Sequence, residues 1–429
     1  MNENYWMNRW SIDQIKVMLL EQFDAFWSRQ TGITRDRLSD IEKIAKLPHA
    51  VIISGLRRVG KSTLLAQMAH KIGREKFYYL NFEDDRFLGF QVEDANSLYQ
   101  LLVELFGERK IFFIDEIQNI SNWEFFIRRF MDMGFKFYIT GSNASLLSRE
   151  LGTRLTGRYV PIELFPFSFR ESLTFFNQPV PNPQRMDTKD KGSLKAALTN
   201  YLQMGGIPDA LKYPNLNLLR TLFDDVLYRD IATRYRVEGV TALRELAFTL
   251  ISNPANLISY NKLKEQFKLG SVNTIKNYVN YLENSWLLFT INLYDFSIKR
   301  QQIAAKKTYC IDNGLSNSVG FRFSPNTGRL LENIVFLSLR QQSREIYYYT
   351  TSNNFEVDFF LPEQQHLFQV TSSMNVPATR ERELRALADA SKSLKVMKAT
   401  ILSDENENSI DINGLQVDIR STSEWLLER

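Results

Sequence analysis

The sequence predicts an α/β protein. A parallel sheet is built around a phosphate-binding loop and carries a helical lid; a helix-turn-helix segment and a second α/β domain follow. Three observations lead there. Residues 55–63, Gly-Leu-Arg-Arg-Val-Gly-Lys-Ser-Thr, fit the pattern G-x-x-x-x-G-K-[ST] without substitution. Apolar runs at 50–54, 77–82, 110–115 and 135–140 end in polar or acidic residues, as strands covered on both faces of a parallel sheet do. Further on, a helical stretch at 330–340 is followed by apolar strands at 346–349, 356–360 and 366–371.

Composition bounds the possibilities. A chain of 429 residues exceeds one compact core, so roughly two to four domains are expected. The net charge of +4 permits a local nucleic-acid patch without arguing for one. A lone cysteine, Cys310, precludes an internal disulfide and suits a reducing cytoplasm. No apolar run approaches a membrane-spanning length, so no membrane partner is expected. The first residues read as no secretion signal. His49, His70 and His366 are widely separated, which argues against a histidine–cysteine zinc site.

The elements follow in order. Residues 1–35 read as an N-terminal helical segment anchored by Trp6, Trp10, Ile15, Met18 and Phe23. Arg35 and Arg37 stand shortly before the first strand, where a nucleotide base can be approached; their role stays open. The core, 36–191, begins with the strand at 50–54 and the loop. Its glycines, Gly55 and Gly60, let the backbone curl so that N–H groups point inward at a phosphate, and the helix that follows adds its positive end. Arg58, Val59, Gly60, Lys61, Ser62 and Thr63 are the predicted cradle. Lys61 would reach the β- and γ-phosphates, and Ser62 would ligate Mg2+. The bland alternative is a turn that binds nothing; the strand before and the helix after argue against it.

The strand at 110–115 ends in Asp115 and Glu116. Asp115 is placed to hold Mg2+, and Glu116 to orient and deprotonate the attacking water. The strand at 135–140 leads to Asn143, the candidate for positioning that water, with Thr140 and Ser142 behind it. Glu83, Asp84 and Asp85 close the strand at 77–82 and read as a solvated loop in preference to groups that support the nucleotide site. A short helix at 144–151 follows, and three arginines cluster there. Arg158 and Arg154 lead as candidates for an arginine finger acting on a neighbouring subunit.

By this point the residues resemble a known group. Residues 55–62, 113–118 (Phe-Ile-Asp-Glu-Ile-Gln), 140–143 (Thr-Gly-Ser-Asn), 155–158 (Leu-Thr-Gly-Arg) and 163–168 (Glu-Leu-Phe-Pro-Phe-Ser) look like the AAA-superfamily ATPases of bacteria and archaea that carry a C-terminal domain of unknown function. The resemblance continues through Gly205-Gly206-Ile207-Pro208 and Tyr228-Arg229-Asp230-Ile231. It implies an AAA-type fold, and a glycine–proline motif in the lid that brings Gly206 and Pro208 near the nucleotide. Read from the residues alone, the same four are a turn between two helices.

The proline-rich loop at 178–191 separates the core from a helical lid at 192–237. Residues 238–315 read as a winged helix: a helix at 259–267, a turn at 269–271, a second helix at 272–283, and strands at 287–294 and 307–311. Residues 297–302 between the strands are a candidate basic wing. Asn273, Thr274, Lys276 and Asn277 would face outward. One basic residue on that helix is thin for phosphate contacts, so packing between domains competes with DNA binding. Residues 316–429 resemble the restriction-endonuclease fold. Asp358 matches its strand acid and Gln369 its acid-or-glutamine position, Glu332 is a candidate helix acid, and Thr371 stands where the lysine of active enzymes belongs. A non-cleaving domain is therefore expected.

The functional expectation is Mg2+-dependent ATP hydrolysis, coupled to binding or remodelling DNA, in a homo-oligomer that forms a ring if the finger acts in trans. The competing reading is a nucleotide-gated switch or scaffold that binds proteins.

Overall fold

The computed structural model describes residues 6, 9–144, 155, 157–214, 216–320 and 327–428. The chain forms two compact units, Met1–Leu164 and Phe165–Arg429.

The first unit is organised on five parallel strands, β1 (Ala50–Ser54), β2 (Phe77–Asn81), β3 (Ile111–Asp115), β4 (Lys136–Gly141) and β5 (Tyr159–Glu163), in the order β2-β3-β4-β1-β5. Every residue of β1 is buried, as a strand covered on both faces requires. Because β4 lies between β1 and β3, the carboxyl ends of the three strands adjoin. That is where ligands bind on such sheets.

Aromatic side chains cover both faces of the sheet: Phe113 stacks on Tyr138 at 4.9 Å on one face, and Phe112 on Phe137 at 5.2 Å on the other. The N-terminal helix Ile12–Trp27 joins this core. It starts on a capping box between Ser11 and Gln14 and lays Phe26 on Tyr79, ring centroids 3.8 Å apart. Downstream of β2, Glu83 and Asp85 are exposed, as expected of a solvated loop, and the half-buried Asp84 departs from it. Asp84 takes hydrogen bonds from the Gln22 amide (2.8 Å) and from Arg86, and Glu83 pairs with Arg57 at 3.2 Å. Burial would raise the Asp84 carboxyl, but the bonds from Arg86 and Gln22 outweigh it and hold it down at about 2.

The second unit opens with helices Phe169–Phe175, Thr188–Met204, Pro208–Lys212 and Leu218–Asp225, the last running on as a π-helical stretch Val226–Thr233. Between the second and third lies Gly205-Gly206-Ile207. Gly205 has φ +71°, and a Cβ on Gly206 would run into the Phe167 carbonyl. The Gly206 N–H donates to Asp312 Oδ2 at 2.6 Å, and its carbonyl accepts from Phe167 N–H at 2.7 Å. The glycines are there for this close backbone approach. Pro208 opens its helix at the first turn, where a missing N–H costs nothing.

Helix Val240–Ser252 is followed by β6 (Asn256–Ile258), helices Tyr260–Gln266 and Val272–Asn284, β7 (Leu288–Leu293), helix Ile298–Ile303 and β8 (Lys306–Cys310). The segment expected as a basic wing is thus a short helix, capped by Ser297. Helices Asn313–Val319 and Thr327–Arg340 lead to β9 (Tyr347–Thr350), β10 (Glu356–Leu361) and β11 (His366–Val370). Helix Pro377–Leu394 then precedes β12 (Lys398–Ser403), β13 (Ile410–Ile412) and β14 (Leu415–Ser421), and helix Thr422–Leu427 closes the unit.

Nine strands form a single sheet, β13-β14-β12-β11-β10-β9-β7-β8-β6. Its joint is the parallel pairing of β7 with β9, Asn292 opposite Tyr347 and Leu293 opposite Tyr348. The small β6–β8 group and the later strands share one backbone ladder.

Candidate active site

Gly60 precedes helix Lys61–Ile72 with φ +94°, in the left-handed region that favours glycine, and no side chain caps the helix start. Arg58 also has positive φ, at 65°. Uncapped first-turn N–H groups at the end of a buried strand are the donor set an anion requires.

Lys61 is only 5% exposed. Its Nζ donates to the carbonyls of Gly55 (3.1 Å) and Leu56 (3.2 Å) and stands 3.7 Å from Glu116 Oε1. A buried ammonium with such modest local partners is in place for a stronger anion.

Asp115 ends β3 fully buried. Its carboxylate accepts from the hydroxyls of Ser62 and Thr140 and from Tyr79 at 3.3 Å. Burial, with the neighbouring Glu116 charge, pushes the Asp115 carboxyl up, and the bonds from Ser62 and Thr140 oppose this. Thr140 is the hinge of the pair: its oxygen also accepts the Glu116 N–H at 3.2 Å.

Glu116 sits at φ +53°, an uncommon conformation for a non-glycine residue. Burial pushes its carboxyl up, but Lys61, the Gln118 amide, Arg57 and Ser142 outweigh burial, so the net displacement is downward and favours the charged form. Gln118 donates to both Glu116 Oε2 and Ser142 Oγ, the latter at 3.3 Å.

Lys61, Ser62, Asp115 and Glu116 are therefore brought together. Asn143 is buried beside them, its carbonyl accepting from Ser54 Oγ at 2.9 Å. Thr63 lies in the first turn of the loop helix. Arg158 is exposed and paired with Asp132. Arg154 lies outside the described residues. Pro208 belongs to the second unit.

Arg35 is a residue whose role the sequence left open. It is buried, and its guanidinium donates to the Val59 carbonyl inside the loop at 2.7 Å. Gln67, on the loop helix, accepts the Arg35 N–H at 3.2 Å and donates to the Thr31 and Ile33 carbonyls. No local pattern announces this latch, because its partners lie 24 and 32 residues away.

In the second unit, the Asp358 N–H donates to Gln369 Oε1 at 3.2 Å, and the Gln369 amide donates to Glu383 at 2.7 Å. The Thr371 hydroxyl donates to the Ser373 carbonyl at 3.4 Å. Among the described residues no helix is long and apolar enough to cross a membrane.

The chain can now be compared with known proteins. Residues 48–173 match the model of an AAA domain. Residues 195–326 and 327–419 match two domains of unknown function, DUF8612 and DUF4143. An uncharacterized protein of Methanocaldococcus jannaschii, MJ1544, is 34% identical over 90% of this chain and 89% of its own length. The chain belongs to this family of AAA-domain proteins with C-terminal domains of unknown function. An uncharacterized protein of Haemophilus influenzae is 29% identical over 88% of the chain and 94% of its own length. Among solved structures, the Aeropyrum pernix ORC1 protein in complex with DNA is 15% identical with a TM-score of 0.28, over 69% of this chain and 95% of that one. Thermotoga maritima RuvB is 16% identical with a TM-score of 0.29, over 59% of this chain and 85% of that one. The family fold is the AAA-type P-loop arrangement followed by a mixed-sheet unit, α/β throughout.

Proposed function

We propose that this protein hydrolyses ATP with Mg2+ in the first unit and couples hydrolysis to binding or remodelling DNA. The observation that carries the ATPase reading is the convergence of Lys61, Ser62, Asp115 and Glu116 at adjoining strand ends, with an uncapped helix start beside them. In this reading Lys61 and the backbone N–H groups of 58–63 bind the phosphates. Ser62 and Asp115 hold the metal, which neutralises phosphate charge when bound. Glu116, favoured in its charged form, takes the proton of the attacking water, and Asn143 helps aim that water. Most of the rate comes from positioning and charge stabilisation.

Arg158, exposed on the first unit, is the described candidate for a finger completing a neighbouring subunit's site, and this favours a homo-oligomer. For DNA, support comes from residues 240–310. Their helix–strand–helix–helix–strand–helix–strand order, with β8 paired to both β6 and β7, supports reading them as a winged helix in which a short helix stands where the wing loop would be. On its second helix Asn273, Lys276 and Asn277 are exposed.

The deciding experiment is the steady-state ATPase rate with duplex, single-stranded and branched DNA at stated salt. Stimulation of several-fold that falls with rising salt is expected. No response to any DNA form removes the DNA part and favours the protein-binding switch. No hydrolysis under any condition removes the ATPase part.

A further inference from the structure

The second unit holds a buried charge cluster that the ATPase reading does not use. Lys307 on β8 is 3% exposed. Its Nζ lies 2.7 Å from Glu332 Oε1, 2.7 Å from Glu356 Oε1 and 3.0 Å from Asp358 Oδ1. An ammonium has three N–H donors, and each carboxylate receives one. Tyr309 donates its hydroxyl to Glu332 Oε1 at 2.7 Å, and the Val370 N–H donates to Asp358 Oδ2 at 2.9 Å. Glu332, Asp358 and Tyr309 are all buried, and Glu356 alone reaches the edge of the cluster.

Glu332 and Asp358 are the acids that the restriction-endonuclease likeness singles out, and Thr371 holds the expected lysine position. A lysine does stand among these acids, but it comes from another strand, 51 residues before Asp358, and its ammonium contacts the acids themselves.

We propose that the Lys307 ammonium is the resident cation of this carboxylate site, occupying the position a divalent metal ion would need and leaving the unit unable to bind metal or cleave phosphodiester bonds. The geometry gives the reason. Carboxylate ligands approach Mg2+ or Ca2+ to about 2.0–2.6 Å. Here the oxygens converge instead on a nitrogen at 2.7–3.0 Å, and two cations cannot share one such point without severe repulsion. Unpaired buried carboxylates would be costly, so an internal ammonium satisfies them permanently where a metal would do so only when available. The cluster also ties β8, from the winged-helix segment, to β10 and helix Thr327–Arg340. It is therefore a fastening point of the shared sheet. This inference is independent of the ATPase reading.

The test is Mn2+ binding to the nucleotide-free full chain, followed by electron paramagnetic resonance. All samples carry Asp115→Asn to silence the other metal position, and a plasmid-nicking assay runs alongside. The expected result is no stoichiometric Mn2+ and no nicking with Lys307 present. Lys307→Met should gain one Mn2+ equivalent, bound at least 100-fold tighter, and adding Asp358→Asn should abolish it. Stoichiometric Mn2+ in the Lys307 protein that Asp358→Asn removes overturns the proposal, as does nicking sensitive to Asp358→Asn. A folded Lys307→Met variant, checked by circular dichroism, that gains no Mn2+ overturns it as well. Should that variant not fold, the Lys307 protein with and without Asp358→Asn still decides.

Discussion

Replacing Glu116 with glutamine separates two consequences of one carboxylate. The side chain is nearly isosteric, so Gln118 and Thr140 can keep the loop in place while the charge and the proton acceptor are lost. Loss of a general base costs about 10²–10⁴ in rate, roughly 3–5 kcal/mol of barrier. The second consequence concerns Lys61. At 3.7 Å and an effective dielectric of ~20, its attraction to Glu116 has a ceiling of about 4.5 kcal/mol. That attraction competes with a phosphate for the same ammonium. Glu116→Gln should therefore lower single-turnover hydrolysis by about 10²–10⁴ while ATP binds as tightly as before or up to about tenfold more tightly. Fluorescent-nucleotide titration and rapid-quench hydrolysis read the two separately. Hydrolysis within twofold of the unsubstituted protein would refute the base role. A rate loss explained wholly by weaker ATP binding would refute the account of Lys61, because it would mean the carboxylate helps the nucleotide in place of competing with it.

Two further expectations concern residues away from the chemistry. Arg35→Ala removes a charged hydrogen bond to the Val59 carbonyl, a bond type worth about 1.5–3 kcal/mol. ATP affinity should fall about tenfold or more with a smaller change in the single-turnover rate of bound nucleotide, and Arg35→Lys should restore part of it; unchanged affinity would show that the latch does not shape the loop. Asp312 is fully buried, and burial lifts its carboxyl to about 6 from 3.8, against the pull of the N–H groups of Gly206, Leu315 and Gly314. A raised folded-state value means that its contribution is complete below pH 3.8 and is lost as pH rises through 6, a change of about 3 kcal/mol. Asparagine offers one acceptor where Asp312 takes N–H bonds from both Gly206 and Leu315. The stability lead of the unsubstituted protein over Asp312→Asn in urea unfolding should therefore shrink from pH 4 to pH 7; a pH-independent lead would refute the assignment.

How far the sequence could be read depends on the range of each constraint. A phosphate loop is local: the curl, the lysine and the helix start lie within nine residues, and only a few residue types meet the backbone geometry. The pattern therefore carries its own address. Asp115 and Glu116 were legible for a similar reason, an apolar strand ending abruptly in two acids. The left-handed backbone of Glu116 was not, because no local pattern marks it, and the Thr140 hydroxyl that accepts its N–H lies 24 residues on, on the neighbouring strand. The Gly205–Gly206 turn could be read as a turn. Its cause could not, since Asp312 lies 106 residues on from Gly206. Asp84 looked solvated because its partner Gln22 sits on a helix 62 residues earlier.

Lys307 marks the limit most clearly. A search for the lysine along β11 finds Thr371 and stops, because spacing along one strand is all a sequence displays. The ammonium enters from β8 through the pairing of β7 with β9, a register set by tertiary packing and announced by no turn. A cation that the spacing along one strand does not display can thus stand among the acids in three dimensions, filling the metal position and not the motif lysine's place. Absence of a motif residue is accordingly weak evidence about a site. The stronger evidence is what stands at the point where the remaining residues converge, and here that point holds a nitrogen with all its hydrogens engaged.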